Sequence, residues 1–200
     1  MLHEELWRQL TGLDRQQTSQ RARCQYFRDP ERYLITLLNT EYVVNLSDRQ
    51  IFSSQPGSGP AEFLEQLCLL AYLINAKDLP LADKLVTAES LPGGQFFFRG
   101  PHMLPTQRLE ETFGDKPELL YKAGASFNAK KYDFGDASVQ LHVLPRIPLT
   151  FVIWAADEEF DARASILFDE TAGSHLLLDA LLAAANLAAD ALVKSSQASS

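Results

Sequence analysis

The fold turns on Ala137-Ser138-Val139-Gln140-Leu141-His142-Val143-Leu144-Pro145-Arg146-Ile147-Pro148-Leu149-Thr150-Phe151-Val152-Ile153-Trp154. Ala137, Val139, Leu141 and Val143 alternate with Ser138, Gln140 and His142, which is the two-residue period of a half-buried strand. Leu149 to Trp154 is nearly continuous apolar sequence, as expected of a central strand covered on both faces. Phe160, Ala162, Ala164, Ile166 and Phe168 then alternate with Glu159, Asp161, Arg163 and Ser165 and predict a third strand. Pro145 and Pro148 confine the first connection to a turn or bulge, because proline cannot donate to a strand ladder.

Working outward, residues 2–26 read as helical, with a stop at Gly12 and a fresh N-cap at Asp14. Asp29-Pro30 breaks the chain. Residues 33–38 and 41–46 predict a hairpin turning at Asn39-Thr40, and Ile51-Phe52 extends that sheet. Residues 61–76 carry a wide apolar face and predict a core helix. A short strand is expected over 85–87, and helices over 106–113 and 117–127. A final helix begins near His175. Its polar residues His175, Asp179, Asn186 and Asp190 fall within about 60° at 100° per residue. The rest is Leu, Ala or Val, so most of its circumference must be buried, in its own core or against a second subunit. Residues 194–200 are expected to be a disordered polar tail. The architecture expected is α+β: one domain over 1–200, an antiparallel sheet with helices at the N-terminus, between strands and at the C-terminus.

Two hundred residues with 46% hydrophobic content suffice for a proper core. Eighteen basic against 26 acidic residues give a net charge of -8, which argues against a duplex nucleic-acid binder. The two cysteines, Cys24 and Cys68, cannot hold a four-cysteine iron–sulfur cluster within one chain, and Cys68 lies in an apolar run typical of a buried thiol. The first residues lack the apolar region of a signal peptide, so a cytoplasmic location is expected. Asp179, Asn186 and Asp190 interrupt the one long Leu/Ala stretch and make a membrane span too costly.

Chemistry concentrates in two segments. Gly93 to Pro105 combines glycines and prolines with Phe98, Arg99 and His102. Arg99 can clamp a carboxylate or phosphate, and Gly93 and Gly94 can let backbone N–H groups approach the same anion. His102 has the chemistry of an acid, a base or an axial ligand to a metal or tetrapyrrole. The bland alternative is a structural loop whose polar groups bind backbone carbonyls. The second segment joins Arg146 to Trp154, Asp157 and Glu158, where carboxylates follow a central strand. Its alternative is an acidic hairpin. A metal site is not expected, since no recognised ligand spacing occurs. His142, His175 and His3 read as surface histidines.

Gly93 to His102, Leu144-Pro145-Arg146-Ile147-Pro148-Leu149, Trp154 with Asp157-Glu158-Glu159-Phe160, and Leu167-Phe168-Asp169 together resemble the domain-of-unknown-function family 3786. Some members of that family carry an appended four-cysteine iron–sulfur module, and the resemblance thereby implies tetrapyrrole or one-carbon chemistry in anaerobic metabolism. This chain lacks the module. Three readings follow. The first is a binding or accessory domain holding an anionic, tetrapyrrole-like ligand between the Gly93–Pro105 loop and the Arg146/Trp154–Glu159 end of the sheet. The second is an enzyme using His102 with Asp157 or Glu158. The third is a homo-oligomeric module built on the C-terminal helix.

Overall fold

The structure, a computed structural model, describes residues 2–55 and 57–198. Helices α1 (Leu2–Thr11) and α2 (Arg15–Ala22) open the chain. Asp14 caps α2, its carboxylate accepting from the Gln17 amide at 2.8 Å. The helix expected to reach residue 26 stops at Ala22. Arg23 turns left-handed (φ 50°) and the Cys24 amide returns to the Ser19 carbonyl, so the chain leaves as a strand. Four strands follow: β1 (Gln25–Arg28), β2 (Glu31–Leu37), β3 (Thr40–Asn45) and β4 (Gln50–Ser53). They form an antiparallel meander in chain order.

Helix α3 (Phe63–Asn75) begins where the Glu62 amide donates to the Glu65 carboxylate, and it buries Leu67 to Leu73 without interruption. After it come β5 (Leu85–Val86), α4 (Gly94–Phe97), α5 (Thr106–Phe113), α6 (Leu119–Ala125), β6 (Lys130–Tyr132), β7 (Ala137–Leu144), β8 (Ile147–Trp154) and β9 (Arg163–Asp169). Helices α7 (Ala172–His175) and α8 (Leu178–Ala198) close the described chain. The second sheet is antiparallel with order β5-β9-β8-β7-β6. The α+β reading therefore stands, with two antiparallel sheets in place of one.

Register assigns the faces of the second sheet. Gln140 pairs with Thr150 and Thr150 with Leu167, while His142 pairs with Pro148. One face thus carries Gln140, His142, Pro148, Thr150, Leu167 and Asp169. The other carries Leu141, Leu149, Phe151, Ile166 and Phe168, all buried beneath the helices. The double burial expected over Leu149 to Trp154 is met from Leu149 to Ile153 and fails at Trp154, which is exposed. One hydrophobic cluster runs through both sheets, with Tyr33, Tyr72, Phe113, Phe151 and Phe168 among its members. Burying each such side chain contributes roughly 1.5–3 kcal/mol. The sheets are tied directly, the Leu38 amide donating to the Val143 carbonyl at 3.0 Å.

Helix α8 satisfies its own need for burial. Ala180, Leu181, Ala184, Ala188 and Leu192 are fully buried against α3, α5 and α6, and Arg108 of α5 donates to both Asn186 and Asp190. Asn186 and Asp190 of the polar stripe meet α5 while Asp179 is exposed, and the apolar circumference is buried in the chain's own core without a second subunit. The premise for a homo-oligomer through this helix is thereby removed. His175 sits on the separate helix α7 and is buried. Helix continues through Ala198 where a disordered tail was expected from residue 194, with Ser196 buried and its hydroxyl donating to the Val193 carbonyl. Residues 199 and 200 lie outside the described residues. Among the described residues no helix is long and apolar enough to cross a membrane.

Candidate functional site

The Gly93–Pro105 segment is a folded loop that consumes its own donors. Gly93 adopts φ 78° to open α4. Gly94 is buried with its backbone pressed against the Ala88 carbonyl, where any Cβ would lie far inside van der Waals contact. The amides of Gly94, Phe96, Phe97, Phe98, Arg99 and His102 all donate to carbonyls of residues 91–99. That leaves those groups unavailable to an anion. Phe98 is buried, 6.2 Å from Phe168 ring to ring, and is a core anchor. His102 is exposed and lies flat on Phe97 at 4.6 Å. Arg99 is exposed and makes no ion pair among the described residues. Beside this loop lies a cavity of about 240 Å³, lined by Phe98, Met103 and Ser165 among others and by no histidine. It falls below the roughly 300–1,000 Å³ of small-molecule sites.

Arg146 is not a ligand clamp. It is 2% exposed. Its guanidinium donates to the Arg21 carbonyl at 2.8 Å, the Leu79 carbonyl at 2.7 Å and the Asp78 carboxylate at 2.7 Å. Its own amide donates to the Tyr72 hydroxyl, which donates in turn to the Ala22 carbonyl. Each of its three nitrogens is engaged within the chain, and at 2% exposure the guanidinium presents no open face to a ligand. Arg146 and Trp154 also stand at opposite ends of β8, about 25 Å apart at the rise of a strand. No single end of the sheet contains both.

The Trp154–Glu159 segment is a capped turn. Asp157 accepts from the Glu159 and Phe160 amides, both at 2.8 Å, which makes residues 157–161 a turn where the alternation predicted strand. Trp154 lies under the Arg163 guanidinium at 5.8 Å, and Glu158 is exposed. The Ala156 amide donates to the Gly114 carbonyl, which puts this turn at the C-terminal end of α5. The Gly93–Pro105 loop leads into the N-terminal end of the same helix. Eight residues of helix separate the two by about 12 Å. Helix α5 lies between them, and among the described residues neither Asp157 nor Glu158 hydrogen-bonds His102.

The structure brings other residues together. A cavity of about 540 Å³ opens on the outer face of the second sheet. Its lining includes Lys130, Tyr132, Phe134, Gln140, His142 and Asp83, with Pro148 and Asp169 at its floor. Tyr132 and Phe134 stack at 5.4 Å, and the Lys130 ammonium lies 4.8 Å from the Tyr132 ring. Gln140 is fixed from both sides: its amide donates to the Thr150 hydroxyl at 3.0 Å and its carbonyl accepts from the Tyr132 hydroxyl at 3.4 Å. Lys130 pairs with Gln140 across the ladder, so His142 is its diagonal neighbour, about 7–8 Å away. The His142 side chain is exposed and makes no hydrogen bond among the described residues. Asp169 is occupied. Burial pushes its carboxyl up, but donations from the Thr171 hydroxyl and amide and from the Ala82 and Asp83 amides outweigh that and hold it below its usual value.

The remaining titratable interior is structural. His175 is buried with its Nδ1 accepting from the Lys77 amide at 3.3 Å. Burial, then the Arg146 charge, hold its pKa below 6.5. Burial pushes the Cys24 thiol up to about 12 and the Cys68 thiol higher still, so neither supplies a thiolate near neutral pH.

Residues 14–191 match the model of a domain of unknown function, DUF3786. No curated protein and no solved structure is significantly similar to the chain.

Proposed function

The chain belongs to the DUF3786 family, a domain of unknown function, and we propose on its geometry that it is a binding domain for a small, planar, anionic ligand seated on the outer face of the second sheet. One observation carries this reading. The cavity of about 540 Å³ sets an ammonium and an imidazole, Lys130 and His142, beside a stacked aromatic pair, Tyr132 and Phe134. Its volume lies within the usual range for small-molecule sites, and its mix of apolar wall and few convergent polar groups is typical of them. The lining also holds two carboxylates, but Asp83 lies toward the opposite, β5 edge of the sheet and Asp169 is already engaged by its own donors, so Lys130 and His142 make the β6–β7 rim the place for an anion. Gln140, held at both ends of its amide, supplies a rigid edge between them. Binding is preferred to acid–base catalysis because no carboxylate hydrogen-bonds His142 among the described residues.

Thermal unfolding in the presence of a panel of aromatic carboxylic acids and their uncharged amides tests this. A bound anion stabilises the folded chain by mass action. The carboxylates should raise Tm more than the amides, and Lys130→Ala should abolish the difference. Equal shifts for acid and amide, or shifts that survive Lys130→Ala, would reject the assignment.

A further inference from the structure

Among the described residues, Arg146, Asp169 and His175 are the buried side chains that can carry a charge near neutral pH, and all three hold one surface segment. Residues 76–84 join α3 to β5 without helix or strand, and Lys77 to Pro80 and Ala82 to Lys84 are exposed. Residues 77–83 make no backbone–backbone hydrogen bond among the described residues. Side chains of the body hold them instead. The Lys77 amide donates to His175 Nδ1 at 3.3 Å, and the Ala82 amide donates to the Asp169 carboxylate at 3.1 Å. Between them Arg146 donates to the Asp78 carboxylate and the Leu79 carbonyl, both at 2.7 Å. The segment is a strap between two fixed ends. At one the Ala76 carbonyl accepts from Arg21, and at the other the Lys84 carbonyl accepts from the Glu170 amide at 2.9 Å.

The strap is also one wall of the sheet-face cavity, which Leu81 and Asp83 line together with Asp169. Arg146 keeps its charge at every accessible pH, and Asp169 keeps its own above 3.8. His175 differs from both. Its Nδ1 accepts from Lys77, so the neutral ring carries its proton on Nε2, which is buried without a partner. A second proton on Nδ1 sets donor against donor and breaks the ring's one hydrogen bond. Burial disfavours that cation first, then the charges of Arg146, Lys77 and Arg23, with Asp169 opposing them. The helices packed on α7 carry Glu65, Cys68 and Tyr72 on α3 and Asp179, Asp190 and Lys194 on α8.

We propose that residues 77–84 form an acid-released strap over the sheet-face cavity: protonation of His175 unlatches the segment at Lys77 and opens the wall that Leu81 and Asp83 provide. The closed strap holds the His175 pKa below 6.5 and the open strap restores it. Opening is therefore constant well above pH 6.5. It grows as the pH falls from there to the closed-state value, by at most about tenfold per pH unit for one proton. A surface segment without main-chain bonds is where local opening is expected. The release belongs to the free protein, while its effect on binding rests on the ligand reading above.

Amide exchange in the free protein tests the release, read as protection factors so that the intrinsic effect of pH cancels. Between pH 7.5 and pH 5.5, protection at Lys77 and Ala82 should fall together by about threefold or more. At both pH values it should stay at least about tenfold below that of Phe151 in the central strand, the mark of a local opening. In His175→Asn, whose amide oxygen can accept from Lys77 without titrating, the fall should vanish. A fall at Lys77 with Ala82 unmoved, protection equal to that of Phe151, or an unaltered pH response in His175→Asn would each overturn the proposal. Lys77→Pro deletes the latched N–H at the surface. It should lower Ala82 protection already at pH 7.5, and no change there would count against the strap even if His175→Asn failed to fold. Titration with 2-naphthoate separates the two readings. The unmodified chain and His175→Asn should bind it alike at pH 7.5, and the variant more tightly by about threefold or more at pH 5.5. Equal affinities at both pH values would remove the gate. Binding to neither protein would sink the ligand reading and leave the exchange data to decide the strap.

Discussion

Replacing Arg146 with Met separates an interior clamp from a ligand clamp. The methionine stem fills much of the space of the arginine stem but leaves the Arg21 and Leu79 carbonyls without their donor. Both acceptors are part-buried, and a stranded acceptor costs about 1–3 kcal/mol. The Asp78 side chain is 66% exposed, so losing that ion pair adds only about 0–1 kcal/mol. Summed, these terms span about 2–7 kcal/mol, and the middle of that span, about 3–5 kcal/mol, is the range for breaking a buried charged contact. With a urea dependence of about 2 kcal/mol per M, the unfolding midpoint should fall by roughly 1.5–2.5 M. Asp78→Ala leaves the Arg21 and Leu79 contacts in place and should lower it by clearly less than Arg146→Met. Arg146→Lys should fall between, because an ammonium cannot reproduce the guanidinium fork. The reasoning is refuted if Arg146→Met unfolds within 0.5 M of the unmodified chain, taken as roughly the scatter for a neutral substitution, or if Asp78→Ala costs as much.

Other outcomes follow from the same contacts. Gly94→Ala should destabilise by about 1–3 kcal/mol, since the Ala88 carbonyl occupies the place of the new methyl, and a urea titration would show it. Stability should fall as the pH drops below 6.5 through the depressed folded-state pKa of His175, because the unfolded chain takes up that proton first. His175→Phe should flatten that limb of a midpoint-versus-pH curve. Asp169 adds a second loss at lower pH: its contribution is complete above 3.8 and disappears as the pH falls through its lowered folded-state value. Neither Cys24 nor Cys68 should react with a disulfide reagent in the folded protein at pH 7.5, and both should react in denaturant.

The strands of the second sheet were legible because period two is imposed by burial on one face, and Val139, Leu141 and Val143 obey it. The C-terminal helix was legible for a similar reason, although Asn186 and Asp190 of its polar stripe meet Arg108, a partner that the local pattern does not register. Strands β1 and β6 were not. Gln25–Arg28 and Lys130–Tyr132 are short and mostly exposed, so they take their state from ladder partners that a local pattern does not register. The site was misplaced for the same physical reason. Arg146 looked available because composition carries no record of burial, and its partners Arg21, Asp78 and Leu79 come from distant parts of the chain. The sheet-face cavity had a weak signal: Gln140 and His142 on one strand and Thr150 inside an apolar run share one face once the register is known. Lys130, the ammonium of that face, is brought there only by the β6–β7 pairing.

The account's central claim is that the ligand face is the outer surface of the second sheet and not the Gly93–Pro105 loop. Two-dimensional amide NMR of the labelled protein, titrated with 2-naphthoate, reads this directly. Saturable shifts centred on Lys130, Tyr132, Gln140 and His142, and lost in Lys130→Ala, are the predicted result. Shifts centred on Arg99 and His102 with the sheet face unmoved would contradict it.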